Sequence, residues 1–515
     1  MKKYSFFFLV LAIAIWFAHA AAQDKPRYGG TLNVGLNADI YGLNPFIRMR
    51  SIDLSVRQMA YETLVSVDSK LEIKPWLAES WKVSPDQKEF AFNLRRGVKF
   101  HNGQEMTAED WKWTVEYAQN PAHGATATPF LENVQAVRAP DRYTLRFSLK
   151  TSQASFLAAL TNLRVLFVVP KGVVPTGETK FPTMPPGTGP FVFKEWRSGS
   201  HATFERFKDY WQKGLPYLDR VVFKPIPDDS ARLAGLRAGE LQIINRVPSQ
   251  WVVKIQRGEI RGVKIEASMY SGLRELYLDV VRPPFDNVKA RQALAYAIDS
   301  QQIVEGAYWG LAAPSQERFH KGSPWHFGFP ERKRDLAKAK ALLQEAGYKG
   351  EKITFISRQG QEEVQFIARQ LQEAGFNVAV EVLEAGAYRR RGRTGDFHLK
   401  PGGGDSMLDP DQIAVEFMCD EEAIKNRHRE NNATGYCNKQ VDKLFDEAKV
   451  TTDLKKRREL YRKAFVILHE ELPEIFLAFE HRHFGVHSDV RDFASDANES
   501  FNIIEGGIYK AWLAR

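Results

Sequence analysis

At 515 residues the chain exceeds what one hydrophobic core usually supports, so two or more domains are expected. Its 72 Lys and Arg against 63 Asp and Glu give a formal charge of +9, a mild excess for this length. That excess fits an anionic ligand, an anionic membrane surface or a merely solvated face, and the export signal described next argues against nucleic acid.

Lys2 and Lys3 precede an apolar stretch over residues 6–17 and the small residues Ala18, Ala20 and Ala22. That order of charge, apolar core and small-residue exit is a secretory signal peptide over residues 1–22. The stretch is shorter than the roughly 20 residues that span a bilayer, and no later stretch is long and apolar enough. A soluble mature chain from residue 23 is expected, with an uncleaved N-terminal anchor as the alternative. Ala18-His19-Ala20 and Ala20-Ala21-Ala22 both offer cleavage sites. Loss of Lys2 and Lys3 with the leader takes the formal charge from +9 to +7. A lipid tether needs a cysteine at the cleavage point, and the cysteines are Cys419 and Cys437. A periplasmic location without lipid anchor follows, where such a pair is oxidised to a disulfide. Two free buried thiols are the alternative. Two cysteines so far apart lack the tetrahedral ligand spacing of a metal site.

In chain order, Thr31–Leu36 alternates Leu32, Val34 and Leu36 as a half-buried strand does. Glu89–Leu94 repeats the pattern with Phe90, Phe92 and Leu94, and residues 143–149 do so with Tyr143, Leu145, Phe147 and Leu149. Between them Thr107 and Asp110 resemble a capping box, followed at helical spacing by Trp111, Val115 and Ala118. Residues 176–190 are rich in Pro, Gly and Thr and read as an irregular connection. Further on, Asp335 caps a helix with Leu336, Ala339 and Leu343 on one face and a stop at Gly347. A strand near 353–356, a helix bearing Val364, Ile367, Ala368 and Leu371 closed by Gly375, and a strand alternating Val378, Val380 and Val382 form a βαβ unit. Such a unit implies parallel strands. Arg389, Arg390, Arg391 and Arg393 read as a solvated face or an anion site.

Several runs together resemble one family. They are Tyr28-Gly29-Gly30-Thr31-Leu32, Tyr61-Glu62-Thr63-Leu64-Val65, Pro75-Trp76-Leu77-Ala78-Glu79-Ser80-Trp81, and residues 92–103 with Thr107-Ala108-Glu109-Asp110. Gly187-Thr188-Gly189-Pro190-Phe191, residues 288–299, Ala339-Lys340-Ala341-Leu342-Leu343 and Asp409-Pro410-Asp411 continue the match. The chain resembles the family 5 extracellular solute-binding proteins, which include dipeptide, oligopeptide, nickel and opine binding components of ABC importers. The resemblance implies an α/β, two-lobed periplasmic-binding-protein fold with an extra subdomain in lobe I and two hinge crossings. Lobe I would be residues 23–269 plus 483–515, with the subdomain near 65–186, and lobe II residues 270–482. The hinges would fall near 267–272 and 478–484.

Peptide binders of that family hold the ligand's amine with an aspartate just before the Asp-Pro-Asp run, which here is Asp405, flanked by Gly403, Gly404 and Ser406. A carboxylate facing an ammonium in a dry cleft makes a charge-assisted hydrogen bond. An ordinary loop with Asp405 capping the next helix is the other reading. The run departs from the family in two ways: glycine stands at 403 where tryptophan is frequent, and the spacing from Asp405 to Asp409 is one residue longer. The glycines allow close backbone approach, which suits a bulkier ligand. From lobe I the resemblance brings Ile40, Tyr41, Arg48 and Met49 to the cleft, with Tyr270 at the first hinge. Arg48 is suited to a bidentate grip on a carboxylate or phosphate. His481 and His483 share a strand face near the second hinge, which permits metal or haem contact, but they lack the partners of a metal site.

The resemblance implies a binding protein without catalysis or cofactor, which closes on a small molecule or peptide and serves a membrane permease as a monomer. An exported hydrolase is the rival class; a Gly-x-Ser-x-Gly elbow, a His-Glu-x-x-His helix and a phosphate-binding Gly-rich loop are all missing from the sequence.

Overall fold

The computed structural model describes residues 25–47, 51–68, 72–161, 166–173, 184–405, 407–427, 429, 431–495 and 506–514, without the side chains of 51, 269–271 and 405. The leader, Arg48, Met49 and Ser406 lie outside these residues.

Strand β1 (Thr31–Leu36) buries Leu32, Val34 and Leu36, as its alternation predicts. An antiparallel sheet follows, formed by β2 (Ala78–Val83), β3 (Glu89–Leu94), β4 (Val134–Asp141) and β5 (Thr144–Leu149) in the order β2-β3-β5-β4. Helix α1 (Ala108–Gln119) covers it with Trp111, Val115 and Ala118 buried. The capping box is present: Asp110 Oδ2 accepts from the Thr107 backbone N–H at 2.8 Å.

The main sheet is built from β1, β6 (Phe191–Arg197), β7 (His201–Arg206), β8 (Arg220–Pro225), β9 (Ile243–Ile244) and β10 (Val263–Leu278). It continues with β11 (Ala312–Pro314), β12 (Ile353–Ser357), β13 (Val378–Val382), β14 (Leu399–Asp405) and β15 (Glu474–His487). The order is β13-β12-β14-β10-β15-β9-β1-β8-β7-β6, with β11 attached to β15. The expected βαβ unit is found: β12 and β13 are parallel, Ile353 opposite Val378, joined by the helix Glu363–Glu373 that ends at Gly375. Only Val378 of the three alternating valines is buried, and Val382 is exposed, because β13 is the sheet edge. Asp335 caps the preceding helix, accepting from the Lys338 N–H at 2.9 Å.

Strands β10 and β15, 16 and 14 residues long, are antiparallel partners that run through the whole molecule. Their first shared stretch, 263–268 against 482–487, adjoins β9 and β1; their second, 272–277 against 474–480, adjoins β14. The register slips between Ser268 and Gly272. A break in the ladder bends a strand locally, and here it falls between two separate cores. One core holds Leu32, Val34, Phe223 and Phe484 and is continuous with Phe90, Trp111 and Phe147 of the four-stranded sheet. The other holds Leu276, Ile353, Phe355, Leu399 and Leu477, next to a helical cluster around Phe417, Phe445 and Phe465. The molecule is a two-lobed α/β periplasmic-binding-protein fold, and β10 and β15 are its two crossings.

Two of the sequence runs quoted above meet in the first lobe. Glu62 accepts hydrogen bonds from Thr188 Oγ1 and Tyr210 OH, each at 2.8 Å, and from Trp211 Nε1 at 3.1 Å. A Cβ on Gly187 would stand 1.9 Å from the Ala60 carbonyl oxygen, so the Gly-Thr-Gly run is held by backbone contact. Burial pushes the Glu62 carboxyl up to about 7, against the pull of those hydrogen bonds.

The sulfurs of Cys419 and Cys437 lie at bonding distance. Of the arginine cluster, Arg391 pairs with Glu381 at 2.7 Å and Asp396 at 3.0 Å, while Arg389, Arg390 and Arg393 are exposed. No helix among the described residues is long and apolar enough to cross a membrane.

Candidate functional site

A cleft of about 680 Å³ opens beside the two crossings. From the first lobe Thr126 and Phe130 line it; from the second come Gly402, Gly403 and Gly404 of β14, Arg274 and Tyr277 of β10, and Arg358, Tyr388 and Lys400. Glu480 and Arg482 of β15 line it at the crossing itself.

The glycine run is in the wall, antiparallel to β10: Gly402 faces Glu275, Gly403 faces Arg274, Gly404 faces Leu273 and Asp405 faces Gly272. The space beside each of the three glycines is claimed first by the chain itself. A Cβ on Gly402 would meet the Tyr277 ring at 2.6 Å, one on Gly403 the Leu273 carbonyl at 2.7 Å, and one on Gly404 Arg318 Nη2 at 3.3 Å. Asp405 ends β14 where the wall reaches the register break of β10.

Asp409 is tied into the fold. It accepts from Arg457 Nη1 at 2.6 Å and Nη2 at 2.7 Å, a buried bidentate pair, and caps the short turn Pro410–Ile413 through the Asp411 N–H at 3.0 Å. Asp409, not Asp405, is therefore the residue that caps the following turn. Asp411 reaches the other lobe, accepting from Ser155 Oγ at 2.5 Å. Beside that bond, Gln87 Nε2 donates to the Thr452 carbonyl at 3.2 Å and the Ala154 N–H to the Lys449 carbonyl at 3.5 Å.

The cleft is rich in positive charge. Arg274 pairs with Glu480 at 2.7 Å, and Arg482 approaches the same carboxylate at 3.9 Å. Glu416 pairs with the buried Arg318 at 3.3 Å. Burial raises the Glu275 carboxyl to about 7 despite the nearby Arg318, and raises Glu474 further still.

Of the residues expected from sequence, Gly403 and Gly404 line the cleft and Asp405 adjoins it through its backbone. Ile40 is in the first core, 3% exposed, and Tyr41 is on the surface, 57% exposed; neither lines the cleft. Tyr270 lies in β10 at the register break. His481 and His483 do not face the cleft as the resemblance implied: their neighbours Glu480 and Arg482 do, because successive strand residues point to opposite faces. Burial lowers both imidazoles, His483 to about 4. Among the described residues, the one close triplet of metal-type ligands is Cys419, Glu421 and Cys437, and two of these sulfurs are joined to each other.

Sequence reading missed Arg274, Lys400 and Glu480. Their signal was present, charged residues within otherwise apolar strands of a central sheet, which fold propensity alone does not explain. Thr126 and Phe130 carried no local signal, since only the packing of the lobes brings them to the cleft.

The description of bacterial extracellular solute-binding proteins, family 5 (middle part), matches residues 72–423. The glutathione-binding protein GsiB of Escherichia coli (strain K12) is 28% identical over 458 residues, 87% of this chain and 88% of that protein. Among solved structures, the periplasmic binding protein DppA of Helicobacter pylori in complex with peptide STSA superposes with a TM-score of 0.77 at 27% identity, over 95% of this chain and 99% of that one. AgaA of A. tumefaciens R10 in complex with agropinic acid superposes with a TM-score of 0.75 at 25% identity, over 94% and 99%. With two lobes, two crossings and a cleft between them, the chain belongs to the bacterial extracellular solute-binding proteins, family 5.

Proposed function

We propose that this protein is the periplasmic component of an ABC importer, a monomer that closes on one small peptide-like or opine-like ligand and presents it to the membrane permease. The observation that carries the reading is the cleft of about 680 Å³ lined from both lobes, Thr126 and Phe130 on one side and β10 and β14 on the other. That volume is in the range of small-molecule sites, roughly 300–1,000 Å³. A ligand touching both walls favours the closed form, because only there are all its contacts made. GsiB, DppA and AgaA, whose names and titles give glutathione, a peptide and agropinic acid, support a ligand of that size.

In this reading lobe I is residues 23–269 with 483–515, lobe II is 270–482, and the register break beside Ser268 is the hinge. Asp405 takes the ligand's ammonium, and Ser406, Tyr270, Arg48 and Met49 complete the contacts. The family and its relatives are binding proteins, and the cleft holds a ligand without turning it over. Mass spectrometry of protein purified from its native periplasm tests this. One retained small molecule, released unchanged on unfolding, is expected; no retained molecule, or a molecule converted on incubation, would overturn the reading.

A further inference from the structure

We infer that Lys400 is the specificity-determining residue of the cleft, held without a partner for a carboxylate, so that the ligand is an acidic peptide-like molecule. The inference rests on the binding reading above and narrows its ligand class.

Lys400 sits on β14 directly opposite Tyr277 of β10 and lines the cleft. Its Nζ lies 4.9 Å from the centre of the Tyr277 ring and 5.7 Å from those of Tyr388 and Phe397. Three aromatic faces stabilise a cation but accept no strong hydrogen bond from it. The Tyr388 hydroxyl is already committed, donating to the Pro401 carbonyl at 2.7 Å. Among the described residues, no ion pair or hydrogen bond reaches this ammonium.

Arg358 of the cleft likewise meets an aromatic face, that of Tyr388, and no carboxylate among the described residues, whereas three neighbouring cations are paired. Arg274 has Glu480, Arg318 has Glu416 and Arg457 has Asp409. Lys400 is half-buried in the cleft wall, so its ammonium is open to the cleft, and a ligand that displaces water there must supply an acceptor in its place. The charged groups around it are Glu275, which shares the sheet face of Tyr277 and Lys400, Glu474 of β15, and Arg358 beside Tyr388; neither glutamate comes within ion-pair distance of the ammonium. Burial pushes the amine down to about 8, with Arg358 acting in the same direction and the two glutamates opposing. A ligand carboxylate arriving from the cleft supplies the missing acceptor and makes a charge-assisted bond.

The test uses glutathione and the tripeptide Ala-Glu-Ala, each paired with its analogue amidated at every carboxyl group, titrated by calorimetry into the mature protein freed of retained ligand. Wild type should bind at least one acid about thirtyfold or more tighter than its amide, the loss typical of truncating one partner of a desolvated pair. Lys400→Met should bring the two within about threefold of each other, roughly 0.65 kcal/mol, while its ligand-free melting stays cooperative. At pH 8.5, titrations in two buffers of different ionisation heat should show proton uptake on acid binding by wild type. Lys400→Arg, always protonated, should keep the acid preference without that uptake. Equal affinity of wild type for acid and amide, a preserved preference in Lys400→Met, or no binding of either acid would overturn the inference. A neutral small molecule retained from the periplasm would also overturn it, yet leave the binding function standing.

Discussion

Ser155 and Asp411 lie 256 residues apart in sequence and meet across the two lobes, the serine hydroxyl donating to the carboxylate at 2.5 Å. Ser155 opens the short helix Phe156–Ala159 of the first lobe, and Asp411 ends the Asp-Pro-Asp run of the second. The bond exists only while the lobes are together, so it adds to the stability of the closed form without touching the cleft lining. Hydrogen bonds to charged groups contribute about 1.5 to 3 kcal/mol. Ser155→Ala should then weaken apparent ligand affinity by about tenfold or more, through a smaller closed population. Calorimetry with the retained ligand measures it, and unchanged affinity would show that closure does not depend on this contact.

Asp409 does a different job from its neighbour two residues on. Its bidentate pair with Arg457 is buried on both sides. Asp409→Asn should cost about 3 to 5 kcal/mol of folding stability, because the guanidinium is left buried and uncompensated. Urea unfolding monitored by tryptophan fluorescence reads the loss. A midpoint equal to that of wild type would mean that water reaches Arg457 once the charge is removed.

Glu62 makes stability depend on pH with an unusual sign. Its folded value of about 7 lies above the ordinary 4.5, so the folded chain binds a proton that the unfolded chain has released. Stability from this group is present below about pH 4.5 and is lost as pH rises through 7. Across that window the melting temperature of wild type should fall relative to Glu62→Gln, which keeps the Thr188 and Tyr210 neighbours but cannot ionise. Parallel melting curves at pH 4.5 and pH 7.5 would contradict the assignment.

Asp405 is assigned the ligand's ammonium on family resemblance and on its place at the end of the cleft wall. Asp405→Asn removes the charge and keeps the shape, so affinity for the retained ligand should fall about thirtyfold or more. Wild-type affinity in this variant would move the amine site elsewhere in the cleft.

The local rules in the sequence were enough for individual elements. The Thr107–Asp110 box, the Asp335 cap and the Leu32, Val34, Leu36 alternation depend on neighbours in sequence, and all are found. The Gly402, Gly403, Gly404 run was legible as a place of close backbone approach, but not what approaches. Tyr277 and Arg318 fill that space, Tyr277 through the pairing of β14 with β10 and Arg318 from the segment that follows β11. The same limit explains Ile40, which reads as a cleft residue by analogy and is drawn into the core by its own hydrophobicity. It also explains His481 and His483, whose face was set by strand register rather than by composition.

Hinge closure itself is measured by small-angle X-ray scattering of the protein stripped of ligand and again at saturation with the molecule it retains. Loss of the ligand should release the Ser155–Asp411, Gln87–Thr452 and Ala154–Lys449 contacts and open the lobes about the register break of β10. The radius of gyration should therefore be larger without ligand and contract on its return. An identical radius in both states would contradict a cleft that works by closing.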